Sequence, residues 1–144
     1  SELHIISLAA DAQGNLIAGT DSNGLILRID QSGRAFALLD SPLREIHSVA
    51  VGRDGTVYAL AISESVSTAT PAAAPTPEPR TVTADKASPT AQPTPEKSRY
   101  DLSAARSAVY RIAASGANEV IWSSGTVVGF SLLPIAGGGG VHLG

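Results

Sequence analysis

GNLIAGTDSNGLILRI, residues 14–29, decides how the rest of the chain is read. Leu16 to Gly19 is a short apolar run. Thr20-Asp21-Ser22-Asn23-Gly24 gathers turn formers, and Leu25 to Ile29 is a second apolar run broken only by Arg28. Apolar runs of this length on either side of an Asn-Gly cluster predict two β-strands joined by a tight turn.

Pieces of this unit recur when the sequence is slid against itself. One shift sets Ser7-Leu8-Ala9 on Ser48-Val49-Ala50, Gly14 on Gly55, Leu16 on Val57 and Ala18 on Ala59. A longer shift sets Ile26 on Val109, Arg28 on Arg111, Ile29 on Ile112 and Gly33 on Gly116. Near the end, Ser131-Leu132-Leu133 takes the place of Ser7-Leu8-Ala9, and GGVHLG (139–144) that of GNLIAG (14–19). A unit of about 40–45 residues with four strands marks a β-propeller blade.

The expected fold is therefore all-β, a β-propeller segment of about two and a half four-stranded blades. Blade one takes residues 1–40, with strands expected at 5–10, 15–19, 24–30 and 34–39. Blade two is split between 41–62 and 107–123, with strands at 46–51, 56–62, 107–113 and 118–122. Blade three begins in 124–144, with strands near 128–133 and 140–143. Gly or Asn stands at each expected hairpin, where positive φ is needed. Residues 63–106 break the pattern, and seven of the nine prolines fall there, among Ala, Thr and Ser. Such a composition buries too little apolar surface to offset its ordering entropy. The segment is expected to be a disordered insertion in the loop between the second and third strands of blade two, with a helical turn conceivable only over 101–106.

Composition narrows the function classes. A net charge of -3 offers no basic patch for nucleic acid, and no apolar run is long enough to span a bilayer. Without cysteine there is no disulfide or thiolate site. Methionine is absent even at position 1, so the chain is read as a processed product or a fragment. The Pro/Ala/Thr-rich segment and the missing cysteines make an extracytoplasmic setting, periplasmic or secreted, the expected one. Two and a half blades leave open faces, so the expected partners include the remaining blades of a parent chain or further copies of this one.

The pattern carried by Asp11, Gly14, Leu16, Asn23, Gly24, Arg28 and Ile29, and by Asp54, Gly55, Val57 and Tyr58, resembles the blade repeat of the NHL and gluconolactonase-like propeller group. The likeness covers about a hundred residues. It implies a propeller of about six to eight blades, inside the general range of about 4–8, and a metal site in the central channel built from acids and Asn of several blades. This chain shows no counterpart of that site.

Strand order would place the second-to-third and fourth-to-first loops of each blade on one rim, and loops carry function more often than scaffold does. Asp21, Asn23, Arg44, Glu45 and His47 are the residues expected to line a binding surface there, for a small molecule or a protein. The alternative for Arg44 and Glu45 is a solvated internal ion pair. His47 and Ser48 are strand neighbours expected to point to opposite faces, which would bar a proton relay. Asp21-Ser22-Asn23-Gly24 resembles the start of a calcium loop but lacks its length and closing Glu, so an Asx-bonded turn is expected. Gly137–Gly140 is expected to be a hairpin rather than a phosphate loop, and Arg28 and Arg111 to hold blades together. No catalytic, cofactor or metal site is assigned.

The expected function is a non-catalytic binding or scaffold module within a larger β-propeller protein. The alternatives are a fragment of a lactonase- or sugar-hydrolase-type enzyme, or a small propeller completed by oligomerisation.

Overall fold

Period-two alternation and glycine turns produce ten strands and no helix among the described residues. The computed structural model describes residues 4–63, 101–137 and 139–144. The strands are β1 (Ile5–Ala10), β2 (Leu16–Thr20), β3 (Leu25–Ile29), β4 (Ala35–Asp40), β5 (Glu45–Val51), β6 (Val57–Ile62), β7 (Ser107–Ile112), β8 (Asn118–Ser124), β9 (Leu132–Pro134) and β10 (Val141–Leu143). They form two four-stranded antiparallel meanders, β1-β2-β3-β4 and β5-β6-β7-β8, and one hairpin, β9–β10. The opening stretch is the β2–β3 hairpin, with Leu16 opposite Ile29 and Gly19 opposite Ile26. The hairpin expected at Gly137–Gly140 joins β9 and β10, whose first strand starts at Leu132 instead of near 128.

Residues opposite one another in a ladder share a face, so the registers define a front and a back to each sheet. The front of the first sheet carries Ser7, Ile17, Gly19 and Ile26. The back of the second carries Ile46, Val49, Ala59, Tyr110 and Val120. These two faces pack on each other in one core cluster with Ile17, Ile26 and Ile112. Gly19 makes the close approach possible: a Cβ there would stand 2.5 Å from Ile46 Cγ2. Beside it the Ser7 hydroxyl donates to the Ile46 carbonyl at 2.8 Å. The front of the second sheet, Tyr58, Leu60 and Val109, is buried in turn. Over it lie Gly129, against Leu60 and Leu143, and the Val127 carbonyl, which accepts from the Ser107 hydroxyl.

The two sheets share their irregularities, and these fall at positions that the repeat aligns. The register slips at Ile6 in β1 and at the matching His47 in β5. It slips at Leu38 in β4 and at the matching Ile121 in β8. Each slip is one extra residue, a β-bulge that bends the strand and re-aims a side chain.

Two corrections concern the connections. Residues 63 and 101–106, assigned above to the insertion, belong to the folded part. Ser63 N–H donates to Arg106 C=O at 2.9 Å, Arg106 N–H to Ser124 C=O at 2.8 Å, and Leu102 is 5% exposed in the core. The turn at Leu102–Ala105 is a single hydrogen-bonded one. The remainder, 64–100, lies outside the described residues. Second, Arg28 and Arg111 clasp acids of their own sheets, Asp11 at 3.2 Å and Glu119 at 2.7 Å, and so do not bridge the two.

Candidate functional site

The bulges bring the site together. Ile6 on β1 and His47 on β5 are the bulged residues of adjacent strands, and Phe130 precedes β9 at the corresponding place. The His47 and Phe130 rings meet edge to face, centroids 6.3 Å apart at 78°. Ile6, Asp21, Glu45 and His47 line a cavity of about 280 Å³. Glu45 Oε1 lies 3.0 Å from His47 Nδ1, with the carboxylate side chain 15% exposed and the imidazole 36%.

Asp21 reaches the cavity from the β2–β3 turn. Thr20 Oγ1 accepts from Leu25 N–H at 3.0 Å and so narrows the hairpin mouth. The turn itself closes between backbone groups, Asn23 N–H to Asp21 C=O at 2.7 Å, around Ser22 at φ 64°. That is a γ-turn of the rarer, strained hand, and it replaces the Asx-bonded turn expected from the sequence. The Asp21 carboxylate is thereby left to face His4: it accepts the His4 backbone N–H at 3.3 Å and lies 3.2 Å from Nδ1. Gly24 N–H donates to Arg44 C=O at 2.8 Å, and Ser41 N–H to Gly24 C=O at 3.0 Å. These bonds tie the β2–β3 turn to the β4–β5 connection on one rim.

Of the five residues expected on this surface, Asp21, Glu45 and His47 come together. Asn23 and Arg44 sit on the same rim, exposed, outside the cavity lining. Glu45 pairs with His47 two residues along its own strand. The residues missed were Ile6, His4 and Phe130. A signal for two of them existed: Ile6, His47 and Phe130 stand immediately before Ser7, Ser48 and Ser131, the serines that the repeat aligns.

A bulge suspends strict alternation, so the argument that separated His47 from Ser48 does not apply at this position. The separation itself stands on geometry: among the described residues no hydrogen bond joins the two, and the imidazole turns to Glu45. No protein-family model, curated protein or solved structure matches this chain.

A second cavity of about 210 Å³ opens between the sheets at the opposite rim, lined by Asp11, Arg28, Arg53 and Asp54 among others. Its acids are occupied by their own turns. The Asn15 side chain, then the Asn15 and Gln13 N–H groups and the Arg28 guanidinium, hold the Asp11 carboxyl below the usual range. The Thr56 hydroxyl and N–H do the same for Asp54. Among the described residues no three His, Asp or Glu side chains are placed to hold a metal ion, and no helix is long and apolar enough to cross a membrane. The Ile6–His47 cavity offers two carboxylates and an imidazole beside the aliphatic Ile6, with Phe130 against the imidazole from outside the lining. That set can orient a small polar molecule and cover its apolar side. Among the described residues it presents no nucleophile held by a base.

Proposed function

We propose that the chain is a segment of a β-propeller acting as a non-catalytic binding or scaffold module, with its ligand taken at the cavity between Ile6, Asp21, Glu45 and His47. In this reading each meander is a blade, and β1, β5 and β9 are the innermost strands. The observation that carries it is the pair of bulges at Ile6 and His47, at matching places on the first strands of two identically ordered sheets. One bulge can be an accident of local sequence. Two at the same place in the same topology support the reading of a repeated unit, and the interval between them fits that of a blade. The resemblance of the D-x-x-G and R-I positions to the NHL and gluconolactonase-like group supports the same architecture. Acids, an imidazole and an aliphatic side chain around one cavity, without a nucleophile–base pair among the described residues, favour binding over catalysis.

Benzylamine is a probe matched to the lining, a cation for the two carboxylates on an apolar ring for Ile6. Amide NMR with added benzylamine is expected to shift the signals of Ile6, Asp21, Glu45 and His47, and Glu45→Gln to weaken the effect severalfold. Shifts scattered over the surface and indifferent to Glu45→Gln would remove the site. Hydrolysis of a simple ester or lactone, lost in His47→Ala, would replace the binding reading with an enzymatic one.

A further inference from the structure

We propose that the cavity at the opposite rim, between the first and second sheets, is a second ligand site and takes a small α-amino acid with an apolar side chain. The inference stands apart from the Ile6–His47 cavity and from the reading of the sheets as blades. Both walls belong to this chain, the front of the first sheet and the back of the second, packed on each other through one core. Nothing that precedes or follows the chain is needed to build it.

The charged groups of the lining differ in what they have left to offer. Asp11 is spent. Its Oδ1 accepts from the Gln13 and Asn15 N–H groups at 2.9 and 2.8 Å, and its Oδ2 from the Asn15 side chain at 2.7 Å and Arg28 at 3.2 Å. Those bonds fill the acceptor sites of a carboxylate, and the side chain is 6% exposed. Arg28 gives Asp11 a single N–H, keeps its other donors and is 41% exposed. The Arg53 guanidinium, on the β5–β6 turn, makes no hydrogen bond or ion pair among the described residues. Asp54 beside it accepts the Thr56 N–H at one oxygen, at 3.1 Å, and the Thr56 hydroxyl at the other, at 2.8 Å, which leaves acceptor sites on both.

One lining thus presents two guanidiniums with unused donors and one carboxylate with unused acceptors. Guanidinium donors suit a carboxylate, and Asp54 suits an ammonium. A molecule that carries both is a zwitterion. A lone cation would meet the arginines unanswered, and a multiply charged anion would meet Asp54. The floor is aliphatic, with the buried Ile17 of the first sheet and the buried Val57 and Ile112 of the second. Leu38, the bulged residue of β4, joins them and is only partly buried, as a bulge that re-aims its side chain allows. The cavity holds about 210 Å³, less than the about 300–1,000 Å³ that drug-sized ligands use, so its ligand is small.

Leucine is the probe, beside isocaproate, which lacks its ammonium, and isoamylamine, which lacks its carboxylate. In NMR of the full 144-residue chain, leucine is expected to shift the amide signals of Gln13, Asp54, Gly55 and Ala114 and the side-chain Nε–H signals of Arg28 and Arg53. Each half-ligand is expected to bind more weakly by about tenfold or more, the loss of one charged hydrogen-bonding partner. Arg53→Gln and Asp54→Asn are each expected to weaken leucine to a similar extent. Arg53→Gln breaks no contact among the described residues, so its β-sheet circular dichroism should be unchanged. Shifts that are absent, or that Arg53→Gln leaves as they were, would overturn the site. Isocaproate bound as tightly as leucine would overturn the amino acid and leave a site for carboxylates alone. Leucine shifts confined to Ile6, Asp21, Glu45 and His47 would overturn this site while leaving the first cavity as a binding site.

Discussion

Gly24 and Gly33 both hold left-handed backbone, at φ 59° and 83°, but they do so in different surroundings. A Cβ on Gly24 would run into the carbonyl oxygens of Leu43 and Ser41, whereas one on Gly33 meets nothing within 4 Å. Strain alone costs about 1–3 kcal/mol. Gly33→Ala is therefore expected to lose about 1 kcal/mol in urea denaturation. Gly24→Ala should lose about 3 kcal/mol or more on the same scale, because backbone, which cannot turn aside, fills the space. Tyr110 is a quieter case. Its hydroxyl lies 2.9 Å from Ser41 Oγ, both buried, and Tyr110→Phe is expected to cost about 1 kcal/mol. Burial raises its phenol above the ordinary value, against a smaller opposing effect of the Ser41 bond. The stabilisation from keeping the phenol neutral is whole below the unfolded value of about 10 and declines as pH rises beyond it. The tyrosine ultraviolet band is expected to show this group ionising late.

At the scale of the element, the connection between β6 and β7 is the most instructive. Its ends are joined by the ladder pair Ile62–Ser107 and by Ser63 with Arg106, while Leu102 is buried in the core. Replacing 64–100 by a short Gly/Ser linker is expected to leave cooperative thermal unfolding intact. Extending the excision through Leu102 should cost about 2–5 kcal/mol, as for other buried aliphatic losses. The strands were legible in the sequence, within one or two residues for the first eight, because alternation and turn glycines are written position by position. Leu102 was not, since a lone leucine beside a Pro-rich segment declares no partner. Nor were the bulges. One extra residue in a strand is a property of two registers, and β1 on its own reads as six ordinary strand residues. Asp21, Glu45 and His47 could be expected together because the rim follows from strand order. The γ-turn at Ser22, which frees the Asp21 carboxylate for His4, depends on backbone torsions that Asp-Ser-Asn-Gly leaves undetermined.

Across the whole molecule, acids at the turns share one electrostatic habit. Asp11, Asp30, Asp54 and Asp101 each accept from the side chain and the backbone N–H of a residue two or four places on: Asn15, Ser32, Thr56 and Ser103. Those hydrogen bonds lower all four carboxyls below their ordinary value. A depressed folded value gives stability that is complete above the unfolded value of about 3.9 and is lost as pH falls through the folded values beneath it. The melting temperature is expected to change little between about pH 5 and 8 and to fall steeply below about pH 4. Replacing Asp11 and Asp54 by Asn should flatten that fall and lower the plateau.

The order in which the strands pair also sets an order in time. Each strand of the first sheet meets its predecessor across a short turn, but β7 must find β6 over the whole interval from Ile62 to Ser107. In the unfolded chain that closure costs about 2 kcal/mol more entropy than closing a short turn. Contacts distant along the chain form late unless something holds their place. The first sheet, complete before that search ends, offers β5 a finished surface through Gly19 and Ser7. Folding should then run in two stages, with the indole of Trp122 on β8 reporting only the second.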